Sequence, residues 1–255
     1  MSSPIWTHDA LSSEATTYDG ECWRLVEAQH LVSTQKLVDS LAEQQLLEEL
    51  IDATKPAFPP ECRHLDYLLA TPFRYDAVYP EGSRFRRAGR TLGVYYAAEH
   101  PETAVAELAF YRLLFFAESP DTPWPDNPGE FTAFSVKVTT EHALDLTAPR
   151  FSESHELWTH PTNYGPCQDF AGTARAANIE IIRYQSVRDP EHRANLALLS
   201  GVAFAETAPR SRATWRIGLS KFGVRALCEF PRLAIEFECA VFMNDPRIQN
   251  MRWDR

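Results

Sequence analysis

The chain lacks both glycine-rich loops that most often cradle nucleotide phosphates: no G-x-G-x-x-G and no G-x-x-x-x-G-K-[ST] occurs in its 255 residues. A dinucleotide-binding Rossmann turn and a P-loop are therefore excluded. Cysteine is sparse and odd in number: Cys22, Cys62, Cys167, Cys228 and Cys239 lie far apart and form no C-x-x-C. That spacing argues against a disulfide framework and a zinc site, and fits a reducing cytoplasm. The eight histidines are scattered, with no H-E-x-x-H or other ligand-spaced pair, so no metal is expected. Long apolar runs are missing too. LALLSGVAFA (196–205) is far short of a bilayer, and MSSPIWTHDALSSE has neither the basic end nor the apolar stretch of a secretory signal. Positive charge is in deficit. A net charge of −10 opposes general nucleic-acid binding, which needs a basic face to displace phosphate counterions.

What is present is a hydrophobic share of 44%, enough over this length for one substantial core. The first twenty residues are polar and read as loose. CWRLVEA (22–28) reads as a strand, and STQKLVDSLAEQQLLEELIDATK (33–55) as a helix capped by Ser33 or Thr34 and closed by KPAFPPE. HLDYLLATPFRY reads as a short helix ended by Pro72. TLGVYYAA (91–98) has the β-branched and aromatic character of a buried strand. Pro101 and Glu102 suit the start of a helix reaching about Ala117. FTAFSVKV and IEIIRY read as strands flanking a helix over CQDFAGTARAAN, and LALLSGVAFAE, TWRIGLS and LAIEFECAVF as later strands. Strands and helices mix without a regular alternation, which favours an α+β class.

Against the acidic background, Arg84, Arg86, Arg87 and Arg90 crowd into seven positions ahead of an apolar strand. Guanidinium groups match phosphate oxygens bidentately, so Arg84, flanked by Ser83 and Phe85, is a candidate diphosphate anchor. The other three read as a solvated loop. Glu107 falls on a helical stripe with Ala104, Leu108, Tyr111 and Phe115. A carboxylate there is either ion-paired or lines a cleft, and spacing alone does not separate the two. Tyr95 and Tyr96 point to opposite faces of their strand, one toward the core and one toward a cleft. Ser186 follows a strand between Arg183 and Arg188. It reads as a turn-capping serine or as a group that orients a substrate, and no G-x-S-x-G elbow makes it a nucleophile.

Taken in order, the arginine of CWRLVEA, the arginine of GSRFR, the tyrosine of GVYYAAE, the glutamate of ETAVAEL and the serine of YQSVRDPEHRANLALL resemble the RES-domain family, the toxins of bacterial RES–Xre toxin–antitoxin pairs. The resemblance spans most of the chain and is densest between Gly82 and Leu108. It departs from the family in the loop, which is Gly-Ser-Arg-Phe-Arg where Gly-Gly-Arg-Trp-Asn is usual, and in a helical stretch between Arg24 and Arg84. The resemblance implies a single RES-type domain over 1–255 with a helical insertion at 30–72, and an α+β, ADP-ribosyltransferase-like split β-sheet core. It implies no permanently bound cofactor and NAD as a consumed substrate. ADP-ribose would pass to phosphate, water or a protein side chain. Glu107, Arg84, Tyr96 and Ser186 would be catalytic, and Arg24, Arg84, Tyr96 and Ser186 would bind NAD: the arginines at the diphosphate, Tyr96 and Ser186 at the nicotinamide side. It further implies a cognate Xre-like antitoxin over the cleft, no membrane, and nucleic acid only through that antitoxin. A non-catalytic module holding an anionic partner, and a binder of single-stranded RNA through SRFRRAGRTLGVYY, are the competing readings.

Overall fold

In a computed structural model of the chain, residues 6–28, 34, 37–74, 78–80 and 82–255 are described. Their strands are β1 (Thr16–Glu27), β2 (Val78–Tyr79), β3 (Gly89–Arg90), β4 (Tyr95–Ala98), β5 (Gly129–Asp145), β6 (Ile181–Gln185), β7 (Ala194–Leu198), β8 (Ser211–Ser220), β9 (Gly223–Cys228) and β10 (Leu233–Glu238). The helices are α1 (His8–Ser13), α2 (Leu41–Thr54), α3 (Tyr67–Ala70), α4 (Pro101–Glu118), α5 (His155–Thr159), α6 (Gly165–Ala176) and α7 (Cys239–Met243). The result is a mixed α+β fold with a sheet-rich core.

The long strand β5 organises the sheet. Its residues Gly129–Ser135 pair antiparallel with β8 on one edge, and Ala143–Asp145 pair in parallel with β6 on that same edge. β5 changes partner on this edge between Ser135 and Ala143, within one eight-stranded sheet. The other edge of β5 is covered by β1 from Phe131 to Ala143. From β6 the order runs through β7 and β4, and β4 returns to β1 at Ala98 opposite Trp23. The strands β1, β4, β7, β6 and β5 thus close a ring, and β8, β9 and β10 form an open antiparallel extension.

Period-two alternation lets β5 serve two cores at once. Phe131 and Ala133 pack with α4 and the extension, while Phe134, Val136 and Val138 pack on the opposite face beneath α3. Every ring strand feeds that second cluster, through Cys22, Tyr95, Ala97, Ile181, Leu196 and Leu198 among others. A third cluster sets α6, Phe151 and Trp158 against Ile182, Tyr184 and Phe85.

Several expectations change. Residues 1–5 of the stretch expected to be loose lie outside the described residues, and from residue 6 it is structured: Thr7 caps α1, Leu11 is buried, and β1 begins at Thr16. The helix expected from 33 starts at Leu41, capped by Ser40 rather than Thr34. Ser33 lies outside the described residues, as do 30–32, 35 and 36 of the expected insertion. The strand expected over 91–98 is confined to Tyr95–Ala98. Gly93 explains the late start, since its Cα sits so close to the chain that a Cβ would lie 1.9 Å from the Pro72 carbonyl oxygen. The apolar C-terminal run divides into β10 and α7, and β9, which the sequence reading passed over, fills the extension. All five cysteines are free thiols, and burial pushes Cys22 up to about 12.

Candidate active site

A cavity of about 260 Å³ opens on the outer face of the ring. Its floor is one row of cross-strand neighbours: Trp23 opposite Ala98, Ala98 opposite Asn195, and Asn195 opposite Tyr184. Strand geometry points all four toward the same side. Ala98 in the middle of the row leaves the space its bulky neighbours would fill.

Helix α4 makes one wall, with Ala104, Glu107, Leu108 and Tyr111 facing the cavity. The stripe seen in the sequence lines the cavity through Ala104, Glu107, Leu108 and Tyr111, but Ala104 and Leu108 also pack on the core and Phe115 lies outside the cavity lining. The buried side of α4 is offset and carries Val105, Ala106, Ala109, Phe110, Leu113 and Phe116, whereas Tyr111 and Phe115 are exposed.

The arginine turn makes the opposite wall. Gly82, at a φ of +70° that favours glycine, leads into a two-residue turn in which the Ser83 and Arg86 backbones pair through bonds of 2.7 and 3.2 Å. Gln168 of α6 pins the turn by donating to the Ser83 and Arg86 carbonyls. The turn then sends its two central side chains apart. Phe85 enters the core against the Tyr184 ring, and Arg84, 8% exposed, enters the cavity. Arg84 donates to the Trp158 carbonyl at 2.6 Å and lies over the Tyr164 ring. Arg24, from β1, also lines the cavity, donates to the Tyr96 carbonyl at 2.8 Å and sits over the Tyr95 ring. Among the described residues neither guanidinium has a carboxylate in salt-bridge contact. Two other arginines of the cluster are engaged elsewhere, Arg86 with Thr91 and Arg87 with Asp169, and the Arg90 side chain lies outside what the structure describes. Arg183, beside the candidate serine in sequence, pairs with Glu99 and Asp145.

Of the two tyrosines, Tyr96 faces the cavity. Its hydroxyl is shared with Ser83 Oγ at 2.8 Å and accepts from the Phe85 N–H at 2.9 Å, so it ties β4 to the arginine turn. Tyr95 is fully buried, stacked on Phe73 and edge-on to Phe204.

The Glu107 carboxylate is held on one oxygen. Ser186 Oγ donates to Oε1 at 2.7 Å, and Asn195 Nδ2 donates to the same atom at 2.6 Å. Ser186 is fully buried and stands behind Glu107 rather than on the cavity wall, so a direct contact with the nicotinamide side is not what this arrangement offers. Its turn is clamped to α4 one helical rung earlier. Thr103, four residues before Glu107 and on the same face, donates to the buried Asp189 at 2.7 Å. The structure thus brings Arg24, Arg84, Tyr96 and Glu107 onto one cavity, with Ser186 supporting Glu107.

Sequence reasoning missed Asn195, Tyr111, Tyr164, Tyr184 and Arg188 as lining residues. Asn195 had a signal, being the one polar residue in the fully buried strand Ala194–Leu198. Arg188 had none. Its partner Asp245 is distant in sequence, and the pair meets at 2.6 Å with both side chains buried. Among the described residues, no group of three or more potential metal ligands converges, and no helix is long and apolar enough to cross a membrane.

Fold and site together define an α+β protein whose cavity combines three guanidiniums, one of them paired with Asp245, with several aromatic faces and one fixed carboxylate. The RES domain model matches residues 59–220, and the chain belongs to that family. Arg24 lies outside the matched stretch. The fold is also similar to a chain in the crystal structure of the M. tuberculosis MbcT–MbcA toxin–antitoxin complex, with 11% identity, a TM-score of 0.46, and coverage of 93% of this chain and 95% of that one. No curated protein matches the chain.

Proposed function

We propose that the protein is an NAD-consuming toxin of a bacterial toxin–antitoxin pair, built on an ADP-ribosyltransferase-like split sheet, that cleaves the nicotinamide–ribose bond. The observation that carries the reading is the Glu107 carboxylate, fixed on the wall of a cavity shared with two guanidiniums that lack a carboxylate partner among the described residues. Family membership supports it, because the RES resemblance implies this chemistry.

In the proposed reaction Arg84 and Arg24 take the diphosphate, and the aromatic faces of Tyr96 and Tyr184 take the flat nicotinamide and its ribose. The C–N glycosidic bond breaks with its electron pair leaving on the nicotinamide nitrogen, which neutralises the pyridinium. The ribose carbon becomes oxocarbenium-like, and the nearby carboxylate stabilises that charge. An acceptor oxygen or nitrogen then supplies an electron pair to the ribose carbon and loses a proton. Water, inorganic phosphate and a protein side chain are the acceptors to be told apart. Restraint in the cell falls to an antitoxin over the mouth of the cavity, where the arginines would receive an acidic or carboxylate-ended segment.

The test is release of nicotinamide from NAD by the purified protein, with products separated by mass. Glu107→Gln keeps an acceptor oxygen for Ser186 and Asn195 but removes the charge. It is expected to fold normally and to lose about 10²–10⁴-fold in rate. Absence of nicotinamide release by the parent protein, with and without phosphate and cell lysate, would rule the reading out.

A further inference from the structure

The donor–acceptor inventory around Glu107 goes further than the identity of the acid. A serine hydroxyl has one proton to give and two lone pairs. Ser186 Oγ accepts from the backbone N–H of Arg188 at 3.2 Å and from that of Asp189 at 3.1 Å. Its lone pairs are thereby committed, and its proton points to Glu107 Oε1. The Asn195 amide has a comparable polarity. Reversing it would set its carbonyl oxygen 2.6 Å from a carboxylate oxygen, so the NH₂ group faces Glu107. Both donors converge on Oε1, while Oε2 has no hydrogen-bond partner among the described residues and Glu107 lines the cavity. Asn195 is only 2% exposed and is fixed in the floor row between Ala98 and Tyr184.

We propose that Asn195 is a positioning residue that acts with Ser186, the two holding Glu107 by Oε1 so that Oε2 is the oxygen presented to the substrate. Ser186 serves as a one-way donor in this device and does not contact the nicotinamide. The inference rests on the proposed reaction for its kinetic consequence and on geometry alone for the orientation of Glu107.

Two readouts keep these separable. In the nicotinamide-release assay, Asn195→Ala is expected to lower kcat by about 100-fold with KM changed by less than about threefold, since a misplaced acid affects the transition state more than binding. Asn195→Asp keeps the shape and replaces the donor with a second carboxylate. It is expected to be at least as impaired at neutral pH and to recover activity on acidification, because one proton shared between the two carboxyls restores a donor to Oε1. The parent should show no such recovery. A raised KM with unchanged kcat in Asn195→Ala, or an Asn195→Asp pH profile matching the parent, overturns the proposal. The second readout is the crystal structure of each variant without substrate, which does not depend on turnover. Displacement of the Glu107 carboxylate in Asn195→Ala supports the proposal, and an unmoved carboxylate overturns it. If the parent protein releases no nicotinamide, the reaction reading fails while the structural comparison still decides the positioning role.

Discussion

Arg84 and Arg24 place cationic heads in the cavity of a protein whose net charge is −10. A guanidinium held by a carbonyl and an aromatic face keeps donors for an anion, whereas one locked to a carboxylate does not. Arginine and lysine are not equivalent at such a position, because only the planar fork offers two parallel donors. Arg84→Lys is therefore expected to raise KM for NAD about tenfold, equivalent to about 1.4 kcal/mol, with a smaller effect on kcat; steady-state kinetics on the purified variant checks this. Of the three cluster arginines whose side chains are described, Arg84, Arg86 and Arg87, only Arg84 is aimed inward. The two-residue turn decides which, since Arg84 and its neighbour Phe85 leave the backbone on opposite sides.

At the scale of elements, α4 has two adjoining apolar faces. The face through Phe110 and Leu113 is buried in the core, and the face through Ala104 and Leu108 borders that core and walls the cavity. Helical spacing in the sequence revealed a stripe, but spacing cannot say whether a stripe meets side chains or a void. The docking of α4 on the Ser186–Asp189 turn adds a polar constraint. Thr103→Val removes a donor from the buried Asp189 and is expected to cost about 1–3 kcal/mol in urea denaturation, the penalty of an under-satisfied buried carboxylate. Helix α2 is the opposite case. None of its residues is buried, and Leu46 and Leu50 stay more than half exposed. Replacing both with serine is expected to shift the unfolding free energy by less than about 1 kcal/mol, read from the same denaturation curve.

At the scale of the whole molecule, the C-terminal segment closes back on the site. Asp245 takes Arg188 at 2.6 Å and Arg247 at 3.0 Å, and both cations lie over the Phe110 ring. Burial pushes the Asp245 carboxyl up, but hydrogen bonds from Arg247 and the charges of both arginines outweigh it and hold the group below its ordinary value. A carboxyl depressed in the folded state adds stability that is present above its unfolded value, about 3.9, and is lost as pH falls through the lower folded value. Asp245→Asn is therefore expected to cost about 3–5 kcal/mol at neutral pH, because Arg188 is left buried without its counter-charge. The variant should also show a shallower loss of stability on acidification than the parent. Thermal unfolding across pH measures both effects.

The amino-acid sequence by itself determined the α+β class and most helices and strands, because these follow from local periodicity and side-chain character. The five residues in family order were legible through the resemblance to the RES family and not through periodicity. Tertiary structure alone decided which tyrosine faces the cavity, which arginine turns inward and that Ser186 stands behind Glu107. It also decided that Asn195 and Asp245 belong to the assembly. Those facts depend on strands distant in the chain closing into a ring, which sets cross-strand neighbours that no local pattern encodes.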